Sequence, residues 1–449
     1  ITVPKLELNS ISLLTRSQNN SPASCAYSMQ LKMPVAEIND LQIKAELVQI
    51  EGVCPDTEKN KWTASTSVAS LSVEDNDFLL QLNHCNLNVR NLVGESPSEY
   101  AGDFSCQSSS QSGEVHSGFR FNVDTGTGSA TYSFSDINPN NDTPLFSSLL
   151  KDWKEPYDIV SGSLSIRGDY RWWKNSKGQH REKLNVNLNV SNAGGFYEGI
   201  LFSGLDYKDS LEILPAIQSS DFAELTVRDI DIGIPVEETS VRLKYSDTKN
   251  GDLPLLTMNN LSFSLLGGKV VGNDVDIDLN SDMHNMVLVV VGLDLAQIVA
   301  LQQVDGLSAT GRIDGYVPIT ITTEGVKITD GKIVSQPQGG QIKYTPAGGT
   351  AEIEKSAVGS EFVFRIIEDL NYDSLVIDVN YEESGEMEMV LALKGMSPKV
   401  DKKRPVHFNL NLQQNVLKLL RGLRYAEGLS EDIDRNVQKY FRKQENPVN

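Results

Sequence analysis

The sequence is poor in the features that announce chemistry or membrane crossing. No run of about 20 apolar residues occurs, so no helix that spans a bilayer is expected. The longest apolar stretch, "MVLVVVGLDL" (286–295), falls well short. Positive charge is scarce: 40 Lys and Arg stand against 60 Asp and Glu, for a net charge of −20. That balance argues against a nucleic-acid binder. The five histidines, at 84, 116, 180, 284 and 407, form no HExxH or His-x-His pair, which removes the common zinc and acid–base signatures. There is no GxSxG elbow, and "GTGSAT" (126–131) lacks the GxGxxG spacing. "DVDIDLNSD" (274–282) resembles a calcium loop but has Leu279 at the sixth position and Asn285 at the twelfth, where the loop needs Gly and Glu. No signal peptide opens the chain, which starts at Ile1; a targeting or anchoring segment upstream is the expectation.

Cysteine is sparse and clustered. All four, Cys25, Cys54, Cys85 and Cys106, lie in the first quarter. No CxxC pair is present, so disulfides in an oxidising compartment are expected rather than a metal site. Three pairings are possible. Joining sequence neighbours, 25–54 and 85–106, would close two local hairpins and is the favoured arrangement.

What the sequence has in quantity is strand. Apolar residues alternate with Asn, Asp and Ser along most of its length, the period of a half-buried β-strand. "LNVNLNV" (184–190) puts Leu184, Val186, Leu188 and Val190 on one face and three asparagines on the other. "VVGNDVDIDL" (270–279) does the same with Val271, Val275, Ile277 and Leu279 against Asp274, Asp276 and Asp278. "LSFSLL", "LVIDVNY", "MEMVLAL" and "HFNLNL" repeat the pattern. Turn signals such as Gly267-Gly268, Asp314-Gly315, Asp330-Gly331 and Gly339-Gly340 separate the runs. Strands of this kind make an antiparallel sheet with one apolar face, and that face has to curl, stack or hold something apolar. Helical spacing appears only in 142–155, in 293–304 with Asp294 as a candidate N-cap, in 414–425, and in 430–442. The segmentation expected is a disulfide-bearing β segment (1–140), a continuing β region with short helical inserts (141–412), and C-terminal helices (413–449). The last stretch, from Met396, carries 11 Lys and Arg against 6 Asp and Glu. One cluster of aromatics and cations, "YRWWKN" (170–175), suits cross-strand packing at a hairpin tip, or an exposed sugar-stacking patch.

Within 293–346, the residues Gly311, Ile313, Asp314, Gly315, Pro318 and Ile319, then Asp330, Gly331 and Ile333, then Gly339, Gly340, Ile342 and Tyr344 resemble a glycine-rich strand series of the YdbH family. That family belongs to the AsmA-like group of envelope proteins. "NLNLQQNVLKLLRGLRYAEGL" (409–429) is similar to its closing strand and helix. The resemblance implies a mainly β chain: a long antiparallel, twisted, folded-over (taco-like) sheet with an apolar groove, few short α-helices and a helical C-terminus. It implies a periplasmic, bridge-like carrier of phospholipid between inner and outer membranes, anchored in the inner membrane through an N-terminal segment. Its implied partners are phospholipid, the membranes at both ends of the full-length chain and a small outer-membrane lipoprotein; no cofactor, metal, nucleic acid or catalytic residue is implied. The inward alternators expected to line the groove are Val275, Ile277, Leu279, Val289, Val291, Ile313, Val317, Ile319, Ile321, Leu391 and Leu393. The last strand, with Val406, Phe408, Leu410 and Leu412, is the expected edge for adding a lipoprotein strand. Two other readings have distinct signatures: a structural or adhesive β-protein would have a filled core, and a polysaccharide-active enzyme would show carboxylates converging near Tyr170–Trp173.

Overall fold

The computed structural model describes residues 5–7, 11–16, 26–31, 35–38, 41–45, 48–53, 63–74, 79–92, 98–108, 113–248, 253–345, 365–400 and 404–426. The chain is mainly β and antiparallel, with few short helices and a helix after the last strand. Among the described residues the sheet is open and does not close into a barrel. Packing divides the chain into two units, one of Ile1–Gly199 with Ser203–Ala223, the other of Ile200–Phe202 with Glu224–Asn449. The segments expected from composition, 1–140, 141–412 and 413–449, follow changes of residue type; the two units follow which strands pack together.

In the first unit, strands Thr63–Glu74, Leu79–Asn91, Glu99–Ser108, Glu114–Asn122, Thr127–Ile137, Tyr157–Lys174 and His180–Tyr197 pair in chain order. The Cys85–Cys106 disulfide joins two neighbouring strands and sits in a small core with Leu82 and Val115, against Phe104 and Phe134. Cys25 and Cys54 lie outside the described residues. The helix expected over 142–155 is only Leu145–Leu149. Its first turn is held by Asp158 of the next strand, which accepts from Phe146 N at 2.8 Å and Ser147 N at 3.0 Å. Beyond it Trp153 turns back to stack with Phe146 at 5.3 Å and meets Tyr157 edge-on at 4.9 Å. Tertiary aromatic packing replaces the remaining helical turns.

In the second unit, strands Pro235–Ser246, Leu255–Leu265, Gly268–Gly272, Met283–Asp294, Arg312–Thr322, Gly325–Ser335, Leu370–Tyr381, Glu386–Met396 and Val406–Asn415 are joined by eight successive antiparallel pairings. A flat sheet would place its first and last of these strands about 38 Å apart at the usual spacing. The contacts require otherwise. Helix Val416–Ala426 follows the last strand, and its Leu420 carbonyl occupies the position a β-carbon would take at Gly233, in the turn before the first of these strands. Leu420 is five residues past Asn415, about 8 Å along a helix. The sheet of this unit therefore curls strongly enough to bring its two sides together.

The phase of alternation shifts where backbone irregularities intervene. The run 270–279 is two strands, Gly268–Gly272 and Val275–Asp278. Val270 is buried and Val271 exposed, the reverse of the sequence expectation, while Val275 and Ile277 lie inward with Asp276 and Asp278 exposed. Asn273 and Asp274 absorb the change of phase. Asp314-Gly315, expected as a turn, is interior to strand Arg312–Thr322, and Asp314 Oδ1 accepts from Gly292 N at 2.8 Å and Gln336 Nε2 at 3.0 Å. Pro318, which has no N–H to donate, coincides with a break in register between Tyr316 and Ile319. Helix Leu295–Ala300 is capped by Asp294, whose side chain accepts from Ala296 N at 2.9 Å. The helix expected over 430–442 lies outside the described residues.

Candidate functional site

The register of the second unit assembles an apolar face row by row. Phe263, Val270, Val290, Gly315, Ile333, Ile377, Leu391 and Leu410 are successive cross-strand partners, one per strand. Side chains alternate across a strand, so the flanking rows on the same face carry Leu288 beside Val317, Met286 beside Ile319, and Val379 beside Met389 and Leu412. The opposite face is mixed and wet: Val271, Val289, Tyr316, Lys332, Asp378, Val390 and Asn411 form its matching row.

Burial along the apolar face is graded. At one end Ile313 is 2% exposed, and it packs with Leu370, Leu375 and Leu393 beneath helix Leu295–Ala300 and Ile366. Toward the other end Ile319, Ile321, Ile328, Met387 and Met389 are only half-buried, and Leu410 and Leu412 reach 39% and 38% exposure. From Ile313 to Ile321 the face runs about 26 Å at the strand rise.

The glycine motif of 311–340 serves one residue that the sequence did not single out. Tyr372 is buried, donates from its hydroxyl to the Thr310 carbonyl at 2.7 Å, and lies where side chains at Gly311 and Gly340 would project. Burial raises its pKa above the ordinary phenol value. The motif anchors the covered end of the face; its signal, paired glycines opposite a strand tyrosine, was visible only once the strands were aligned.

The expected lining residues separate into groups. Ile313 and Leu393 are in the covered core; Val317, Ile319, Ile321 and Leu391 lie on the same face, half-buried. Val275 and Ile277 face Met258 and Leu256 and are half-buried. Leu279 lies past the strand end and is exposed. Val289 and Val291 are on the opposite face, 43% and 48% exposed. The bulge between Val290 and Leu293, where Gly292 has φ +65°, puts Val290 and Leu293 inward. Val406, Phe408, Leu410 and Leu412 alternate along the last strand on the apolar side, and that strand pairs with Glu386–Met396 along one edge. Among the described residues its other edge has no strand partner.

The first unit carries a second apolar face that the sequence reading left out. Phe104, Phe119, Phe121, Tyr132, Phe134, Tyr170 and Trp172 share one side of its sheet by register and are half-buried. Trp172 lies over Gly128, 6.2 Å from Phe121 and 5.3 Å from Tyr170. Arg171 and Trp173 point to the other side. Burial and the nearby Asp169 raise the Tyr132 pKa. The alternation in "GFRFN" and "TYSF" held this signal.

Among the described residues no three His, Cys, Asp or Glu side chains come together as metal ligands, and no helix is long and apolar enough to cross a membrane. No curated protein and no solved structure matches the chain. The model of one family matches residues 58–438, nearly the whole length over which these faces are built. The chain belongs to that family, the YdbH-like proteins, described as intermembrane phospholipid transport protein YdbH.

Proposed function

We propose that the apolar faces are the lane along which phospholipid acyl chains travel between the two membranes. The observation that carries this reading is the face continuous across eight strands yet half-exposed at one end. An acyl chain laid on such a face leaves water at about 0.8 kcal/mol per methylene, on the order of 12 kcal/mol for sixteen carbons before ordering costs. Because row after row presents similar side chains, that gain changes little with position. Movement then meets small barriers and needs no catalytic residue. The lining we assign is Val275, Ile277, Val317, Ile319, Ile321 and Leu391, closed at one end by Ile313 and Leu393.

In this reading the protein works in the periplasm, tied to the inner membrane. The last strand extends the sheet by accepting a strand from a small outer-membrane lipoprotein. Lipid extraction and native mass spectrometry of the purified chain test the lane: phospholipid at a fixed stoichiometry supports it, and a protein that neither carries nor takes up lipid overturns it. Proline scanning through 408–411 tests the edge. At positions whose N–H points away from Glu386–Met396, proline removes only the docking donors. Partner binding should fall while the fold persists; undiminished binding at every position removes this edge from the mechanism.

A further inference from the structure

The polar side of the first unit's sheet carries a feature that lipid transport leaves unused. Cross-strand register aligns Arg120, Ser129, Arg171 and Lys183 in one row. Trp173 and its partner Arg181 lie one row further out on the same side. Arg120, Ser129, Arg171, Trp173 and Lys183, with Glu99, border an open depression of about 510 Å³. Its lining is cationic in a chain of net charge −20. Arg171 pairs with Asp169 at 3.2 Å and Lys183 with Glu212 at 2.6 Å; Arg120 is exposed. A guanidinium has five N–H donors, so Arg171 keeps donors free beyond its one contact. Two strand spacings hold Arg120 and Arg171 about 10 Å apart at the backbone, with the Ser129 hydroxyl between them. That arrangement suits a planar or tetrahedral oxyanion gripped from two sides. Trp173 is 40% exposed and stacks on no other ring among the described residues, although Trp172, its neighbour on the apolar face, does.

An exposed indole beside paired guanidinium groups joins two recognition modes. The ring covers the C–H face of a sugar, and the cations take an acidic substituent. We propose that this depression binds an anionic glycan, a chain of sugars bearing carboxylate, sulfate or phosphate groups. A lipid headgroup suits it less well, because the acyl chains would have to leave from the polar side of the sheet, away from Phe121, Tyr170 and Trp172. The site would hold the carrier against an acidic polysaccharide while lipid moves on the opposite face.

The test uses the whole chain in calorimetric titration at fixed ionic strength. The probes are a heparin-derived hexasaccharide, neutral maltohexaose, inorganic phosphate, and vesicles of phosphatidylglycerol in phosphatidylcholine. The charged hexasaccharide should bind, with maltohexaose and phosphate each at least about tenfold weaker, and should quench tryptophan fluorescence. R120A and W173A should each weaken it about tenfold, the loss of one charge-assisted contact or one stacked ring, with unchanged far-ultraviolet circular dichroism. Wild-type affinity in both variants overturns the proposal. So does phosphate binding as tightly as the hexasaccharide, which marks a simple anion site. Binding to vesicles but not to the hexasaccharide assigns the patch to a lipid surface and overturns it equally.

Discussion

Replacing Ile319 and Ile321 by aspartate, and separately Val289 and Val291 by aspartate, places the same chemistry on opposite faces of adjacent, directly paired strands. Ile319 and Ile321 are half-buried on the apolar face. If that face is empty, the new carboxylates stay partly hydrated, and the cost is the lost isoleucine burial, about 1 kcal/mol each for half of a full side chain. If an acyl chain must lie over them, each carboxylate gives up water at several kcal/mol. Taking about 4 kcal/mol, one aspartate cancels the gain from about five methylenes, and the pair cancels most of a sixteen-carbon chain. Val289 and Val291 face solvent, so their replacement should change stability by about 1 kcal/mol or less and leave lipid untouched. The assay is extracted phospholipid per mole of purified protein, followed by uptake of a fluorescent phospholipid from vesicles, with thermal denaturation of each variant alongside. The inner pair should lose most bound lipid at a Tm close to that of the outer pair. Equal lipid content in the two variants, or a loss confined to the Val289/Val291 pair, would refute the assignment of the working face.

Three further outcomes follow from the packing. Gly233 has φ +103° and faces the Leu420 carbonyl, so Gly233→Ala should cost about 1–3 kcal/mol and loosen helix Val416–Ala426, read as faster amide exchange over 416–424. The pKa values of Tyr132, Tyr372 and Tyr381 are all raised above 10.0 by burial. A raised value means the folded state holds the proton more tightly, so this stability is complete below about pH 10 and is lost as pH climbs through the folded-state values. Tyr372→Phe should flatten that alkaline limb and, through the lost bond to Thr310, cost about 1 kcal/mol at neutral pH in urea denaturation. Cys85 and Cys106 are 21 residues apart, and a loop of that size is stabilised by about 3 kcal/mol on closure; a Cys85→Ser, Cys106→Ser variant should show that loss in denaturant titrations of the first unit.

Strand content and pairing of neighbours were legible because they depend on a period of two and on local turn chemistry, both written residue by residue. The face of each strand was less so. Alternation fixes that Val289 and Val291 share a side, but not whether that side is the inner one; the bulge at Gly292 decides it, and bulges depend on what the neighbouring strand can accommodate. The same holds at Asn273-Asp274, where one extra step returns Val275 and Ile277 to the inner face after Val271 has left it. Helix 142–155 shortened for a related reason, since its apolar spacing served equally well for aromatic side chains packing on Tyr157.

The glycine motif shows what the periodic reading leaves implicit. Gly311 and Gly340 are far apart in sequence. Gly311 has φ +118°, which already favours glycine, and at both positions a side chain would also run into the Tyr372 hydroxyl. That tyrosine seals the covered end of the apolar face; for the lane proposed above, sealing one end would set the direction of opening. The half-exposed end lies toward Ile321, Met387 and Leu412, next to the unpaired edge of the last strand. Leu410 and Leu412, 39% and 38% exposed, lie on a last strand whose outer edge has no strand partner among the described residues, so in the proposed reading whatever extends the sheet there also extends the lane. If the apolar face carries lipid as proposed, strand addition there would lengthen the conduit rather than merely tether it.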